Sequence, residues 1–159
     1  MGTETWFVTH GHLDHIVALP VYVARRRMMK MEPPTIYMPA ETIEPMQKIL
    51  RQFTRLDRGR IPCDLRAIAP GEEVELSREL VVSASATRHT VPSLGFVVWD
   101  RRRKLKPEYQ ELSGEQIRDL GMAGTDVTHE IRRPLLAYVG DSAPAGRSKK
   151  RLTKCCVAR

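Results

Sequence analysis

The stretch "HGHLDH", His10 to His15, holds three of the chain's five histidines and one aspartate. Directly before it, "TWFVTH" is rich in β-branched and aromatic residues and is predicted to be a strand that delivers the cluster at its C-terminal end. In a tight loop, His10 and His12 are two apart and can point one way toward a single ion. Asp14 and His15 can then turn toward a second ion beside it. Neutral imidazole suits zinc, and carboxylate oxygens complete or bridge such sites. On the chain's own composition the pattern H-x-H-x-D-H arises by chance roughly 2 times in 10,000. Two plainer readings stay open here, a binding loop without catalysis and a purely structural metal.

Working outward, "HIVALPVYVARRRMMK" is expected to start a helix, with Pro20 tolerated only near its first turn. "TIYMP" is a second strand. Ile43, Met46, Ile49, Leu50, Phe53 and Leu56 then recur at helical spacing, defining an amphipathic helix that ends near Gly59 and holds Pro45 in its first turn. From Leu65 the pattern changes to short strands, "LRAIA", "EEVEL", "LVVSASA" and "GFVVWD", with a turn at Pro70 and Gly71. Ser113 and Gln116 form a capping box for a short helix stopped by Gly121, and "LLAYVGD" is a last buried strand. Strands with interspersed helices give an α/β class, or a layered α+β sandwich.

The chain of 159 residues is long enough for one domain with a real core and short for two. Its 42% hydrophobic and 28% charged residues exclude a disordered class. No apolar run approaches the ~20 residues that cross a bilayer, so an intracellular, cytoplasmic chain without a membrane partner is expected. Cys63 stands alone and Cys155 and Cys156 are adjacent, which is no disulfide framework. The net charge is +7, but residues 147–159, "RSKKRLTKCCVAR", hold six Lys or Arg and no acid, leaving 20 basic against 19 acidic residues in the body. That tail is expected to be unstructured. Two dense basic clusters remain in the body, around Arg25, Arg26, Arg27 and Lys30, and around Arg101, Arg102 and Arg103. Such runs are more often solvated faces than binding sites, so on their own they only hint at phosphate contact.

A pair of zinc ions needs about six ligands, more than "HGHLDH" supplies. His89 ends the strand "LVVSASATRH", and Asp141 follows Gly140 at the end of "LLAYVGD". A histidine at a strand end is usually a surface residue, and an acid there is often only a helix cap. Each gains weight from the cluster near the N-terminus. His129, in the polar stretch "DVTHEIRRP", is read as an exposed bystander.

"THGHLDH", then "SATRHTVPSLGFVV", then "AYVGDS", in that order, resemble the metallo-β-lactamase superfamily. The flanking stretches "PPTIYMPAETIEPMQKIL", "RRKLKPEYQELSGEQI" and "GTDVTHEIRRPLLAYVGD" resemble its ribonuclease Z branch, the short-form endonucleases of transfer-RNA 3′-end processing. The resemblance implies a partial αββα sandwich over residues 1–146 and a di-zinc site at the rim of two sheets. Position by position it implies His10, His12 and His89 for one zinc, Asp14 and His15 for the other, and Asp141 as the bridging carboxylate. Asp14 matches the acid that handles the nucleophile's proton. Two zinc ions would lower the pKa of water from 15.7 toward roughly 7 and clamp the attacking and leaving oxygens of a phosphodiester. Precursor transfer RNA is the implied substrate, and pairing into a homodimer a possible assembly.

The chain departs from the family in places. Only nine residues precede His10, and nothing after Asp141 contains a histidine or glutamate. It therefore looks like an internal piece or truncated product of the family's enzyme, with the second zinc short of one ligand and low or absent turnover expected. Two other readings stand beside a ribonuclease Z-like zinc phosphodiesterase. One is another hydrolase of the superfamily, acting on a lactone, thioester or small phosphodiester. The other is a non-catalytic metal- or RNA-binding remnant.

Overall fold

The computed structural model describes residues 4–143. The basic stretch expected to be unstructured, residues 147–159 with Cys155 and Cys156, lies outside the described residues. The chain runs as strand β1 (Thr5–Phe7), helices α1 (Leu13–Ile16) and α2 (Leu19–Met28), strand β2 (Thr35–Met38) and helix α3 (Ala40–Asp57). Strands β3 (Asp64–Ala67), β4 (Glu73–Glu75), β5 (Leu80–Ala86) and β6 (Leu94–Leu105) follow, then helix α4 (Gly114–Met122) and strand β7 (Thr128–Tyr138). β1, β2 and β3 form a parallel sheet in that order, with α1–α2 and α3 as the crossovers parallel pairing requires. β4 to β7 form an antiparallel sheet in chain order.

Side-chain alternation along β1 and β2 sorts the core into two layers. Trp6, Ile36 and Met38 face the helices, packing with Ile16, Leu19, Val23, Met46 and Leu50. Phe7 and Tyr37 face the second sheet, where they meet Val82, Ala84, Phe96 and Val98. Phe7 is the pin between the sheets, stacked on Tyr37 at 5.3 Å and tilted against Phe96 at 5.2 Å between ring centroids. The result is the α–β–β part of an αββα sandwich. α4 buries none of its residues, and its start is the expected capping box of Ser113 and Gln116.

Several local expectations are corrected. α3 begins at Ala40, so Pro45 lies in its second turn rather than its first. The proline leaves the Glu41 carbonyl without a helical partner, which is tolerable because Glu41 and Pro45 lie on the exposed side, where water can replace the bond. Leu56 was expected in the apolar stripe and is 82% exposed. The left-handed residue ending α3 is Arg58, and Gly59 beside it makes room for the Arg27 guanidinium, which a Cβ there would strike. α4 continues through Gly121, and the chain turns at Gly124. β6 does not stop at Asp100 but carries the arginine cluster to Leu105 as a paired strand.

The largest correction concerns "LLAYVGD", expected to be buried. β7 is an edge strand, with Leu136 61% and Tyr138 54% exposed. Leu136 pairs with Val98 and Tyr138 with Phe96, so both lie on the face that makes the inter-sheet core. Among the described residues the parallel sheet ends at β1, and the apolar face of β7 is left exposed.

Burial ranks these positions energetically. Met38, fully buried, should lose about 2–5 kcal/mol of stability on change to alanine, whereas Leu56→Ala should stay within about 0.5 kcal/mol, measured by denaturant unfolding of the full chain.

Candidate metal centre

β1 ends at Phe7, and the chain leaves the parallel sheet with its N–H and C=O groups still paired. Val8 N–H donates to the Tyr37 carbonyl at 2.8 Å, and the Thr9 carbonyl accepts from Leu94 N–H at 2.8 Å. The second bond ties the loop to the first residue of β6, so the histidine loop sits where the two sheets meet. Gly11 lets this loop close on α3, because a Cβ there would stand 3.1 Å from the Thr42 methyl. His12 then occupies the N-cap of α1 without a side-chain capping bond, which leaves its ring free. Asp14 falls in the first turn of that helix, where a carboxylate is favoured.

The other two segments arrive by their own backbone ties. The loop after β5 is closed by Thr87 N–H donating to the Ser93 carbonyl at 3.1 Å, and by the Thr87 and Ser93 hydroxyls at 2.7 Å. His89 sits in that loop. Beyond β7, Ala143 N–H donates to the Arg88 carbonyl at 2.7 Å and brings the Asp141 segment alongside.

The rings consequently crowd. His10 lies 4.7 Å from His12, 4.2 Å from His15 and 4.5 Å from His89, centroid to centroid, and His12 lies 4.8 Å from His89. Two groups of donor atoms fall within 4.8 Å of one another: His10, His12 and His89, and His10, His15 and Asp141. His12 Nδ1 and His89 Nε2 are 3.1 Å apart. Two nitrogens bound at 2.0–2.1 Å to one tetrahedral ion stand about 3.4 Å apart, so this pair needs little movement to share a cation. His15 Nε2 is 3.3 Å from an oxygen of Asp141 and 3.4 Å from one of Asp14.

Burial decides the state of the central ring. His10 is fully buried, and desolvation, followed by the positive fields of His15, His89 and His12, holds its pKa below the usual imidazole value. Burial thus favours its uncharged form, and its Nε2 is buried and without a hydrogen-bond partner. An orphaned buried nitrogen among three further imidazoles and a carboxylate is what a divalent metal would satisfy.

The structure thus brings together His10, His12, His15, His89 and Asp141, and places Asp14 beside them. Asp14 belongs to neither donor group, and its side chain is 79% exposed at the rim. His129 is half-buried in β7 opposite Lys104, not exposed as expected, and lies outside both groups. The basic candidates divide. Arg26 is 6% exposed, pairs with Glu4 and donates to the Glu32 carbonyl, so it is a structural residue with no face for a phosphate. Arg27 is committed to Asp57 and the Arg60 carbonyl, joining α2 to the end of α3. Arg101 is held by Glu75 and the Arg78 carbonyl. Arg25 and Lys30 are exposed, as are Arg102 and Arg103, which pair with Asp100 and Asp126. Thr9 and Gly140, next to two candidate ligands, carried no signal of their own in the sequence.

No family model matches the chain. The chain is 38% identical over 136 residues to the chloroplastic tRNase Z TRZ2 of Arabidopsis thaliana, covering 86% of this chain and 38% of that protein. It is 39% identical over 136 residues to tRNase Z TRZ1 of the same plant, covering 86% and 49%. With the nuclear ribonuclease Z of Triticum aestivum it shares 38% identity over 125 residues, covering 79% of this chain and 71% of that one. The chain thus spans less than half the length of the two Arabidopsis relatives.

If the donor groups hold metal, His12→Ala should remove most bound zinc from the purified chain by elemental analysis. His129→Ala should leave the zinc content unchanged, since that ring stands outside both groups.

Proposed function

The chain belongs to the ribonuclease Z family, and on that footing we propose that its histidine–carboxylate cradle serves zinc-dependent cleavage of a phosphodiester, the removal of the 3′ trailer from precursor transfer RNA. The observation that carries this reading is the convergence of two donor groups on one shared, buried and unpartnered histidine, His10. His10, His12 and His89 would hold one zinc. His15 and Asp14 would serve the second, with Asp141 as the carboxylate common to both. When bound, a zinc pair supplies Lewis-acid stabilisation of the phosphate's developing charge and a nucleophile at neutral pH.

The remaining roles fall to the chain itself. Asp14 stands at the rim, open to solvent and 3.4 Å from His15 Nε2, where its carboxylate can take the proton that the attacking water loses. Asp141 is less exposed than Asp14, with an oxygen 3.3 Å from His15 Nε2, so the two side chains can turn to one cation together. A nucleic-acid backbone would be met by Arg25, Lys30, Arg102 and Arg103, the accessible members of the two basic clusters. Arg102 and Arg103 are partly neutralised by Asp100 and Asp126, so a phosphate would have to compete with those carboxylates.

The same reading includes a homodimer. Leu13 on α1, Val17 just after it, Val21 on α2 and Leu56 on α3 are 57–82% exposed, an apolar strip next to the histidine loop that a second copy could cover. A cytoplasmic setting also belongs to it, although the relatives described above carry the words chloroplastic and nuclear in their names. Among the described residues, no helix is long and apolar enough to cross a membrane.

With zinc supplied, the full chain should cut precursor transfer RNA slowly to leave a 3′-hydroxyl on the mature end, and Asp14→Asn should slow that residual cut further, by about 10²–10⁴-fold. Absence of cleavage by a chain that holds zinc would overturn the catalytic reading. Binding to the precursor should weaken with salt with a logarithmic slope of about −3 to −4, as four phosphate contacts require, and a flat titration would remove the nucleic-acid substrate.

A further inference from the structure

Thr9 is 3% exposed and sits between the two halves of the metal centre. Its backbone carbonyl is fixed by Leu94 N–H at 2.8 Å, which anchors the residue on which the side chain turns. The side-chain hydroxyl lies 3.0 Å from His10 Nδ1. On its other side it meets the chain that delivers Asp141. Gly140 adopts φ +57°, and a Cβ there would stand 2.9 Å from Thr9 Oγ1 and 3.0 Å from its methyl carbon. One small side chain therefore touches a ring near the N-terminus and a turn near position 140.

We infer that Thr9 is the positioning residue of the metal centre: its hydroxyl accepts the Nδ1 proton of His10, and its side chain seats Gly140 so that Asp141 reaches His15. The inference rests on the metal-binding reading above. A neutral imidazole carries one proton and one lone pair, and the partner of one nitrogen determines which is which. With Nδ1–H donated to Thr9, the lone pair must sit on Nε2, the buried atom without a partner. The opposite tautomer would aim an N–H at the other imidazoles and leave a cation no donor atom there. Metal-bound histidines ordinarily need such an outer partner on the second ring nitrogen, and losing it typically weakens metal binding 10–100-fold.

The contact with Gly140 extends the same residue's influence to the carboxylate. Any side chain at position 140 would meet Thr9 and would have to hold a left-handed backbone conformation, which glycine adopts freely. The close approach leaves Asp141 Oδ2 at 3.3 Å from His15 Nε2. Thr9 thus sets the ring orientation on one side and the carboxylate's reach on the other.

Thr9→Val keeps the shape and removes the hydroxyl, while Thr9→Ser keeps the hydroxyl and removes the methyl. Zinc dissociation constants of the full chain, and the visible spectrum of its cobalt(II) form, read the two roles without reference to turnover. Thr9→Val should bind zinc 10–100-fold more weakly and alter the cobalt spectrum, and Thr9→Ser should stay within about threefold of the parent with its spectrum preserved. Parent-like affinity and spectrum in Thr9→Val would overturn the inference while leaving the metal centre standing. Equal losses in both variants would overturn the hydroxyl's role. A parent chain that takes up neither metal would remove this inference together with the reading on which it rests.

Discussion

The site depends on one backbone hydrogen bond, from Leu94 N–H to the Thr9 carbonyl, that joins the loop after β1 to the first residue of β6. β1 belongs to the parallel sheet and β6 to the antiparallel one, so this bond crosses from sheet to sheet at the end of the sandwich. Phe7, stacked on Tyr37 and tilted against Phe96, fixes the spacing of the sheets just behind it. Given that spacing, His10 and His12 emerge from one sheet, while His89 and Asp141 emerge from loops flanking strands of the other. A loop at the C-terminal end of a parallel strand is where an α/β fold ordinarily opens a crevice, and the histidines occupy that position.

Crowding imidazoles in this way has an electrostatic consequence that shapes what surrounds them. Burial and the three neighbouring imidazoles disfavour the charged form of His10 at the centre of the cluster. The two carboxylates near His15 supply compensating charge from the solvent side. Elsewhere the fold disposes of much of its positive charge internally. Arg26 is buried against Glu4, Arg27 pairs with Asp57 at the end of α3, and Arg101 and Arg132 are bound to acids across the antiparallel sheet. Cations counted in the sequence therefore overstate what a polyanion would meet on the surface.

What could be read in advance follows the range over which each signal acts. "HGHLDH" is dense, so its residues could be picked out by spacing alone. His89 and Asp141 are single residues far along the chain, weak candidates from their strand-end positions alone, and the resemblance to a family is what assigned them to particular ions. The capping box of Ser113 and Gln116 was legible because it is a local reciprocal pair of bonds. Pro45 and Gly121 were misplaced because helix ends depend on tertiary neighbours as well as on local signals. Strand β7 was misread for a different reason. Apolar residues in a run say that a strand has a face to cover, and they do not say whether the opposing sheet extends far enough to cover it. Thr9 and Gly140 escaped notice because they matter through contact with each other and with His10, a relation that neither residue type announces.

The donors come from positions 10 to 141, nearly the whole length of the described chain. No stretch short enough to order itself alone contains a full set, so a tightly held cation would discriminate sharply between the assembled state and any partly opened one. It would act as a clasp on the topology, resisting separation of the β6–β7 hairpin from the β1 loop. By mass action, free metal at a hundred times its dissociation constant would add about 2.7 kcal/mol to the folded state. Chelation would then loosen the closure between the two sheets before it disturbed the helices packed on Ile36 and Met38, and the protein's resistance to proteolysis would track the supply of metal around it.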